Sequence, residues 1–171
     1  MITIEESGMC FGEYEDDCVF HIEKCDQYTK HLMPNGVKSC EFILSRGKSI
    51  YFVEAKTSCP NQITEGTPEE KKDKYDEYIN DITDKARHSI SLYASILLGI
   101  HSAKGVPISL MSKDMSEKDL KFVLVVKGAE KEWLVPLQEK LSNELSRERR
   151  IWKLSFFALT EDAARKKKLV I

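Results

Sequence analysis

Two short apolar runs lie close together in the first third of the chain, at residues 37–44 and 49–53, with the polar segment Ser45-Arg46-Gly47-Lys48 between them. Both runs are rich in β-branched and aromatic residues, and the segment between them contains turn-forming residues. This pattern predicts a β-hairpin across residues 36–58.

Three charged residues interrupt the apolar pattern of this hairpin. Glu41 lies within the first run, and Glu54 and Lys56 follow the second, where a core strand would continue with valine or isoleucine. If Arg46-Gly47 forms a two-residue loop, Glu41 faces Phe52 and lies diagonal to Glu54 on the same face of the sheet, with Lys56 on that face too. A loop one residue longer would put Glu41 on the opposite face.

The remaining pattern predicts a mixture of strands and helices. Apolar residues recur at helical spacing from Tyr75 to Ile100, after Thr67 as N-cap and Pro68 as first helical residue, which predicts one long amphipathic helix. Pro136 lies inside a second helical pattern, so that helix either starts near Val135 or is kinked. The other predicted strands are 2–7 and 17–24, joined by a turn region that includes Gly8, Gly12, Asp16 and Asp17, and 120–126 and 151–159. A loop is predicted from Cys59 to Pro68. The other predicted helices are a short one at 26–32, the second helix at 131–149 and a short C-terminal helix opened by residues 160–162.

This order of elements predicts an α/β (α+β) fold, a three-layer sandwich with a central mixed β-sheet flanked by helices. The early hairpins give antiparallel pairs, and the later strands return through helices. With 171 residues, the chain is expected to form a single domain over residues 1–171.

Composition narrows the function classes. The net charge is −2, from 26 basic and 28 acidic residues, which argues against a basic nucleic-acid coat but leaves room for a local positive patch. No apolar run approaches the ~20 residues of a membrane span, and no secretory signal pattern is present, so a cytoplasmic protein without membrane contact is expected. The five cysteines include no CxxC pair, which favours reduced thiols over a disulfide framework and disfavours structural zinc.

The central hairpin resembles the signature of the PD-(D/E)xK, or restriction-endonuclease-like, nuclease superfamily. That signature is an acid on one strand followed by Glu-x-Lys on the next, matched here by Glu41 and by Glu54-Ala55-Lys56. The likeness covers about residues 18–126, with 127–171 as a C-terminal helix and strand elaboration. It departs from the family pattern in having Cys40-Glu41 where the family has Pro-Asp.

The resemblance implies catalytic roles for Glu41, Glu54 and Lys56. Mg²⁺ or Mn²⁺ would be held by Glu41, Glu54 and the backbone carbonyl of Ala55, which are the oxygen ligands that such cations prefer. Glu23 would match a further acid that the family often supplies from its first helix. Lys56 would orient the attacking water or stabilise charge on the phosphodiester.

Three further side chains are candidate contacts to phosphate or substrate: Ser58, Lys85 and His88. Each assignment has a simpler alternative. Glu54 and Lys56 would be a sheet-edge ion pair, Glu41 a solvated strand residue, Glu23 a surface acid, and Lys85 and His88 a solvated helix face.

The implied function is a metal-dependent nuclease that hydrolyses phosphodiester bonds, of DNA in preference to RNA, in defence or repair. A homodimer is suggested by family analogy alone. The alternative is an inactive nuclease-fold module that binds nucleic acid or a protein partner. Substrate sequence, strandedness, endo- or exonuclease action and pathway are not encoded in any motif of the chain.

Overall fold

The fold is described from a computed structural model that covers residues 1–60, 65–112 and 114–171. Part of the predicted loop between Cys59 and Pro68 lies outside the described residues. The strands are β1 (Ile2–Glu6), β2 (Met9–Tyr14), β3 (Val19–Phe20), β4 (Phe42–Arg46), β5 (Ser49–Lys56), β6 (Asp119–Val126) and β7 (Leu154–Thr160). The α-helices are α1 (Pro68–Leu97), α2 (Lys131–Glu144), α3 (Ser146–Trp152) and α4 (Glu161–Lys166).

Five strands form one mixed sheet in the order β3-β4-β5-β6-β7. The pairs β3–β4 and β4–β5 are antiparallel, whereas β5–β6 and β6–β7 are parallel. The parallel connections pass through helices, as parallel strands require. The predicted mixed α+β architecture is therefore confirmed.

Apolar side chains cover both faces of the sheet. Phe52 of β5 joins a cluster with Ile82 and Tyr93 of α1. Val53, which points the other way, joins a cluster with Phe11 of β2 and Ala164 of α4. The long helix therefore packs on one face, while the β1–β2 hairpin and the C-terminal helix pack on the other.

The register of the central hairpin differs from the predicted one. Its two-residue loop is Gly47-Lys48, so Phe52 faces Ile43, and the expected Glu41–Phe52 pair is wrong. Glycine at the first loop position, here with φ of +59°, is what a type II′ hairpin turn requires, and this favours the observed loop over Arg46-Gly47. The shift leaves Glu41 on the predicted face of the sheet, as its contacts below show.

The long helix begins as predicted. Thr67 and Glu70 form a reciprocal capping box, with Pro68 in the first turn. The helix ends at Leu97, so the prediction is wrong for Ile100, which is 70% exposed beyond the helix end.

Several other boundaries differ. Strand 17–24 shortens to β3, and residues 9–14, predicted as part of a turn region, form β2. Residues 37–41 precede β4 rather than belonging to it. The predicted 131–149 helix divides at Leu145, with Pro136 accommodated inside α2, and the residues from Ile151 to Trp152 complete α3 instead of opening β7.

Two further predictions concern membrane contact and the cysteines. None of the helices in the described ranges is both long and apolar enough to cross a membrane. All five cysteines lie in those ranges, and none of them is in a disulfide; Cys40 and Cys59 are buried.

Candidate metal and phosphate site

The carboxyl end of β5 carries Glu54 and Lys56 toward α1. They lie two positions apart in the strand and share the face that packs on this helix. Glu54 is fully buried, and the Lys56 side chain is 26% exposed. A completely buried carboxylate is costly unless it is paired or binds a cation.

Lys85 of α1 brings the two predicted acids together. Its Nζ lies 2.7 Å from Glu54 Oε1 and 3.8 Å from Glu41 Oε1. Because one ammonium group contacts both carboxylates, Glu41 and Glu54 share a face of the sheet. Glu41 reaches this position from just before β4, where its N–H donates to the Val53 carbonyl at 3.0 Å.

A second group of ion pairs extends this contact along the helix. Lys56 Nζ lies 3.4 Å from Glu54 Oε1 and 2.9 Å from Asp81 Oδ2. Lys38 Nζ lies 3.1 Å from Asp81 Oδ1 and 3.4 Å from Asp84 Oδ2. We call this set the lysine network; its members are Lys38, Lys56, Lys85, Glu54, Asp81 and Asp84.

On the other side of Glu41 the balance of charge is different. Glu6 at the end of β1, Glu23 in a 3₁₀ turn at Ile22–Lys24, and Glu41 have carboxylate oxygens that all lie within 4.8 Å of one another. We call these three residues the acid cluster. One divalent cation with oxygen ligands at about 2.0–2.6 Å can bridge such a span. Lys24 lies 2.8 Å from Glu6 and compensates part of the negative charge.

Burial dominates the acidity of both central carboxyl groups. Burial, and then the neighbouring Glu23 carboxyl, raise the pKa of Glu41 to about 7, although Lys85 opposes the shift. Burial likewise raises the pKa of Glu54 to about 7, against the opposing effect of Lys85. Burial disfavours the Lys85 ammonium, but Glu54 and Glu41 outweigh it and raise the pKa of Lys85. The lysine is therefore charged at neutral pH, while the two acids are close to their titration midpoints.

The two oxygens of Glu54 differ in their contacts. Oε1 accepts from Lys85, whereas Oε2 is buried without a hydrogen bond among the described residues. The buried hydroxyl of Tyr78 also has no partner within this part of the chain. Burial, with smaller effects of Cys59 and Glu54, raises the pKa of Tyr78, so the phenol stays neutral. An unpartnered buried carboxylate oxygen fits a site that a cation can occupy.

The structure places the other predicted residues less centrally. The Ala55 carbonyl accepts a hydrogen bond from Ser7 Oγ at 3.0 Å. His88 Nδ1 accepts from the Lys38 N–H at 3.0 Å and so fixes the segment that leads to Glu41. Ser58 is exposed beyond the end of β5. Their predicted contacts to metal, phosphate or substrate stay predictions.

Sequence reasoning missed Glu6, Lys38, Asp81 and Asp84. For the two aspartates a signal existed, since Asp81, Asp84 and Lys85 recur at the three- and four-residue spacing of one helix face. Glu6 had no such signal, because its approach to Glu41 depends on how the β1–β2 hairpin packs against the sheet.

Comparison of the chain with family models, with curated proteins and with solved structures found no match. The chemistry of the site is therefore argued from its residues. Buried and clustered carboxylates beside ammonium groups can hold a hard divalent cation and can stabilise an adjacent anionic group.

Proposed function

We propose that this protein is a metal-dependent nuclease with a restriction-endonuclease-like core, and that Glu41, Glu54 and Lys56 form its catalytic centre. DNA is the proposed substrate, ahead of RNA. The observation that carries the proposal is the fully buried Glu54, which shares Lys85 with Glu41 and keeps one oxygen without a partner in the described ranges.

The topology supports this proposal. The two acids lie on adjacent antiparallel strands or at their ends, and the Glu-x-Lys pair ends the strand that leads into the long helix. A parallel strand, β6, then returns beside β5. This is the order of elements that the resemblance in sequence implies for the core.

In this proposal the acids bind the cation and Lys56 contacts the phosphodiester. Glu41 and Glu54, joined by Glu23 and Glu6, would hold Mg²⁺ or Mn²⁺, with the Ala55 carbonyl, which accepts a hydrogen bond from Ser7 Oγ, as the further ligand that the resemblance implies. The bound cation would lower the pKa of a water and offset the charge of the phosphate. Lys56 is held by Asp81 and Glu54 yet remains partly exposed, so it can face an incoming phosphodiester. Burial opposes ionisation of Asp81, but Lys56 and Lys38 lower its pKa, so it orients Lys56 as an anion.

The direct test is cleavage of single-stranded and duplex DNA, and of RNA, with Mg²⁺ or Mn²⁺. We expect wild-type cleavage to disappear with EDTA and to fall at least about a hundredfold in Glu54→Gln and Lys56→Met, because these changes remove a cation ligand and the ammonium group. Glu144→Gln is the matched control, since it removes an acid from an exposed pair on α2.

The same variants need a second readout in case the buried substitution perturbs folding. Isothermal titration of Mn²⁺ into wild type, Glu41→Gln and Glu144→Gln measures the site without catalysis. Metal binding that is lost only in Glu41→Gln supports the proposal. Cleavage that survives both Glu54→Gln and Lys56→Met would refute it.

A second candidate is an inactive module that binds nucleic acid. The lysine network favours it, because Lys85 and Lys56 already neutralise Glu54, as they would in a site that no longer needs a cation. Under this alternative, Mn²⁺ titration gives no heat and Glu41→Gln changes nothing.

A further inference from the structure

A cleft of about 630 Å³ opens beside the acid cluster, between β3, the helical turns that follow it, and the segment around Gly105. Its apolar floor includes Val19 and Phe20 of β3, which is an edge strand of the sheet. No residue of the proposed catalytic centre lines it.

The ionisable residues around this cleft are mostly basic, although the chain as a whole is slightly acidic. They are His21, Lys24, Cys25, Asp26, Lys30, His31 and Lys104. Three lysines therefore face one aspartate. Lys30 pairs with that aspartate at 2.9 Å, and Lys104 is exposed and belongs to none of the ion pairs found in the described ranges.

His21 also lines the cleft. His21 Nδ1 is buried and has no hydrogen-bond partner in the part of the chain that the structure describes.

The cleft and the acid cluster share a wall. Glu23 and Lys24 are neighbours in one 3₁₀ turn; Glu23 faces Glu41 and Glu6, while Lys24 lines the cleft. The Lys24 ammonium bridges the two regions through its 2.8 Å contact with Glu6. An anionic chain lying in the cleft would thus lead directly to the cluster of carboxylates.

We propose that this cleft binds the sugar–phosphate backbone of an unpaired nucleic-acid strand and delivers it to the acid cluster. The identity of the ligand rests on the proposed nuclease function. The volume of this cleft lies in the range of small-ligand pockets, so it accepts a short stretch of a single strand. A duplex is too wide to enter it, because the major groove alone is about 12 Å wide. Proteins hold single strands in positively charged grooves that follow the backbone, with aromatic side chains that stack on the bases.

The test is fluorescence anisotropy of a labelled single-stranded oligonucleotide, in EDTA so that neither cleavage nor metal binding contributes. The variant is the double substitution Lys30→Met and Lys104→Met. Lys24 is left unchanged because it also contacts Glu6. The control is Lys140→Met, since Lys140 and Glu144 form an exposed pair four residues apart at 2.8 Å, just as Lys30 and Asp26 do at 2.9 Å.

We expect the wild type to bind the single strand more tightly than a duplex of the same sequence. The logarithm of the binding constant should fall with the logarithm of salt concentration, and the magnitude of this slope should decrease by about 0.7 for each lysine removed. The Lys140→Met control should leave the slope unchanged. An unchanged slope in the double variant, tighter binding of the duplex, or no binding of the single strand would overturn the proposal. If the double variant loses binding but the wild type cleaves nothing with Mn²⁺, the cleft stands and the nuclease proposal fails.

Discussion

Clustered carboxylates lie on both sides of Glu41, and their negative charge is compensated in different ways. In the lysine network, three ammonium groups face Glu54, Asp81 and Asp84, so the charges nearly compensate within the protein. In the acid cluster, three carboxylates meet; Lys24 is paired with Glu6 at 2.8 Å, and Lys85 lies at the longer distance of 3.8 Å from Glu41. We therefore expect the lysine network to persist without a cation, whereas under the proposed function the acid cluster would gain stability from one.

The largest expected effect comes from breaking the compensated side. Lys85→Met removes the 2.7 Å partner of the fully buried Glu54 and leaves that carboxylate with the longer 3.4 Å contact to Lys56. We expect a loss of about 3–5 kcal/mol in the free energy of unfolding, measured by urea denaturation.

Lys140→Met again serves as the control, because it breaks an exposed pair of nearly the same length and should change little. Adding Glu54→Gln to Lys85→Met should recover part of the lost stability, since it removes the stranded charge. A loss in Lys85→Met no greater than in the control would show that the lysine network does not compensate a buried charge.

The sequence predicted features that depend on neighbouring residues, but it did not predict contacts between segments that are far apart in the chain. The capping box of α1, the Glu-x-Lys pair at the end of β5 and the shared face of Glu41 and Glu54 follow from local pattern and parity. The hairpin loop was predicted at the wrong residues, but the register changed by an even number of residues. Glu41 therefore still lies on the predicted face of the sheet.

The acid cluster was only half predictable. Glu23 could be assigned from resemblance, but Glu6 belongs to a hairpin whose second strand was predicted as turn. That hairpin is held by buried Met9, Phe11 and Tyr14, whose packing partners lie far away in the chain. Short-range pattern contains no information about such contacts, so the residue that completes the cluster could not be found.

A second prediction concerns pH. Since the pKa values of Glu41 and Glu54 are raised to about 7, the folded protein holds more protons than the unfolded chain between about pH 4.5 and pH 7. Metal-free stability should therefore fall as pH rises through this window, by on the order of 2–3 kcal/mol for one such group. Thermal denaturation in EDTA across this range measures the effect.

Mn²⁺ should reverse the trend, because a cation binds the deprotonated carboxylates and so stabilises the fold more as pH rises. Glu41→Gln should reduce the metal-free slope, to which Glu54 still contributes, and should remove the response to Mn²⁺. Asp81 contributes in the opposite sense, since its lowered pKa adds stability that is lost only in acid, below about pH 4. A metal-free stability that rises between pH 5 and about 7 would contradict the assignment of burial as the dominant effect on these acids.

The smallest expected effect tests the uncompensated side. Lys24→Met removes the ammonium 2.8 Å from Glu6 and makes the acid cluster more negative, while the 3.8 Å contact between Lys85 and Glu41 is retained. Because Lys24 is 56% exposed and its field is screened by solvent, we expect Mn²⁺ affinity to increase by only about two- to fivefold, measured by isothermal titration at low salt. The gain should shrink as salt is added, and Lys140→Met should show none. A weaker affinity in Lys24→Met would mean that the lysine holds Glu6 in place for the cation, and the two sides of Glu41 would then differ less than their charges suggest.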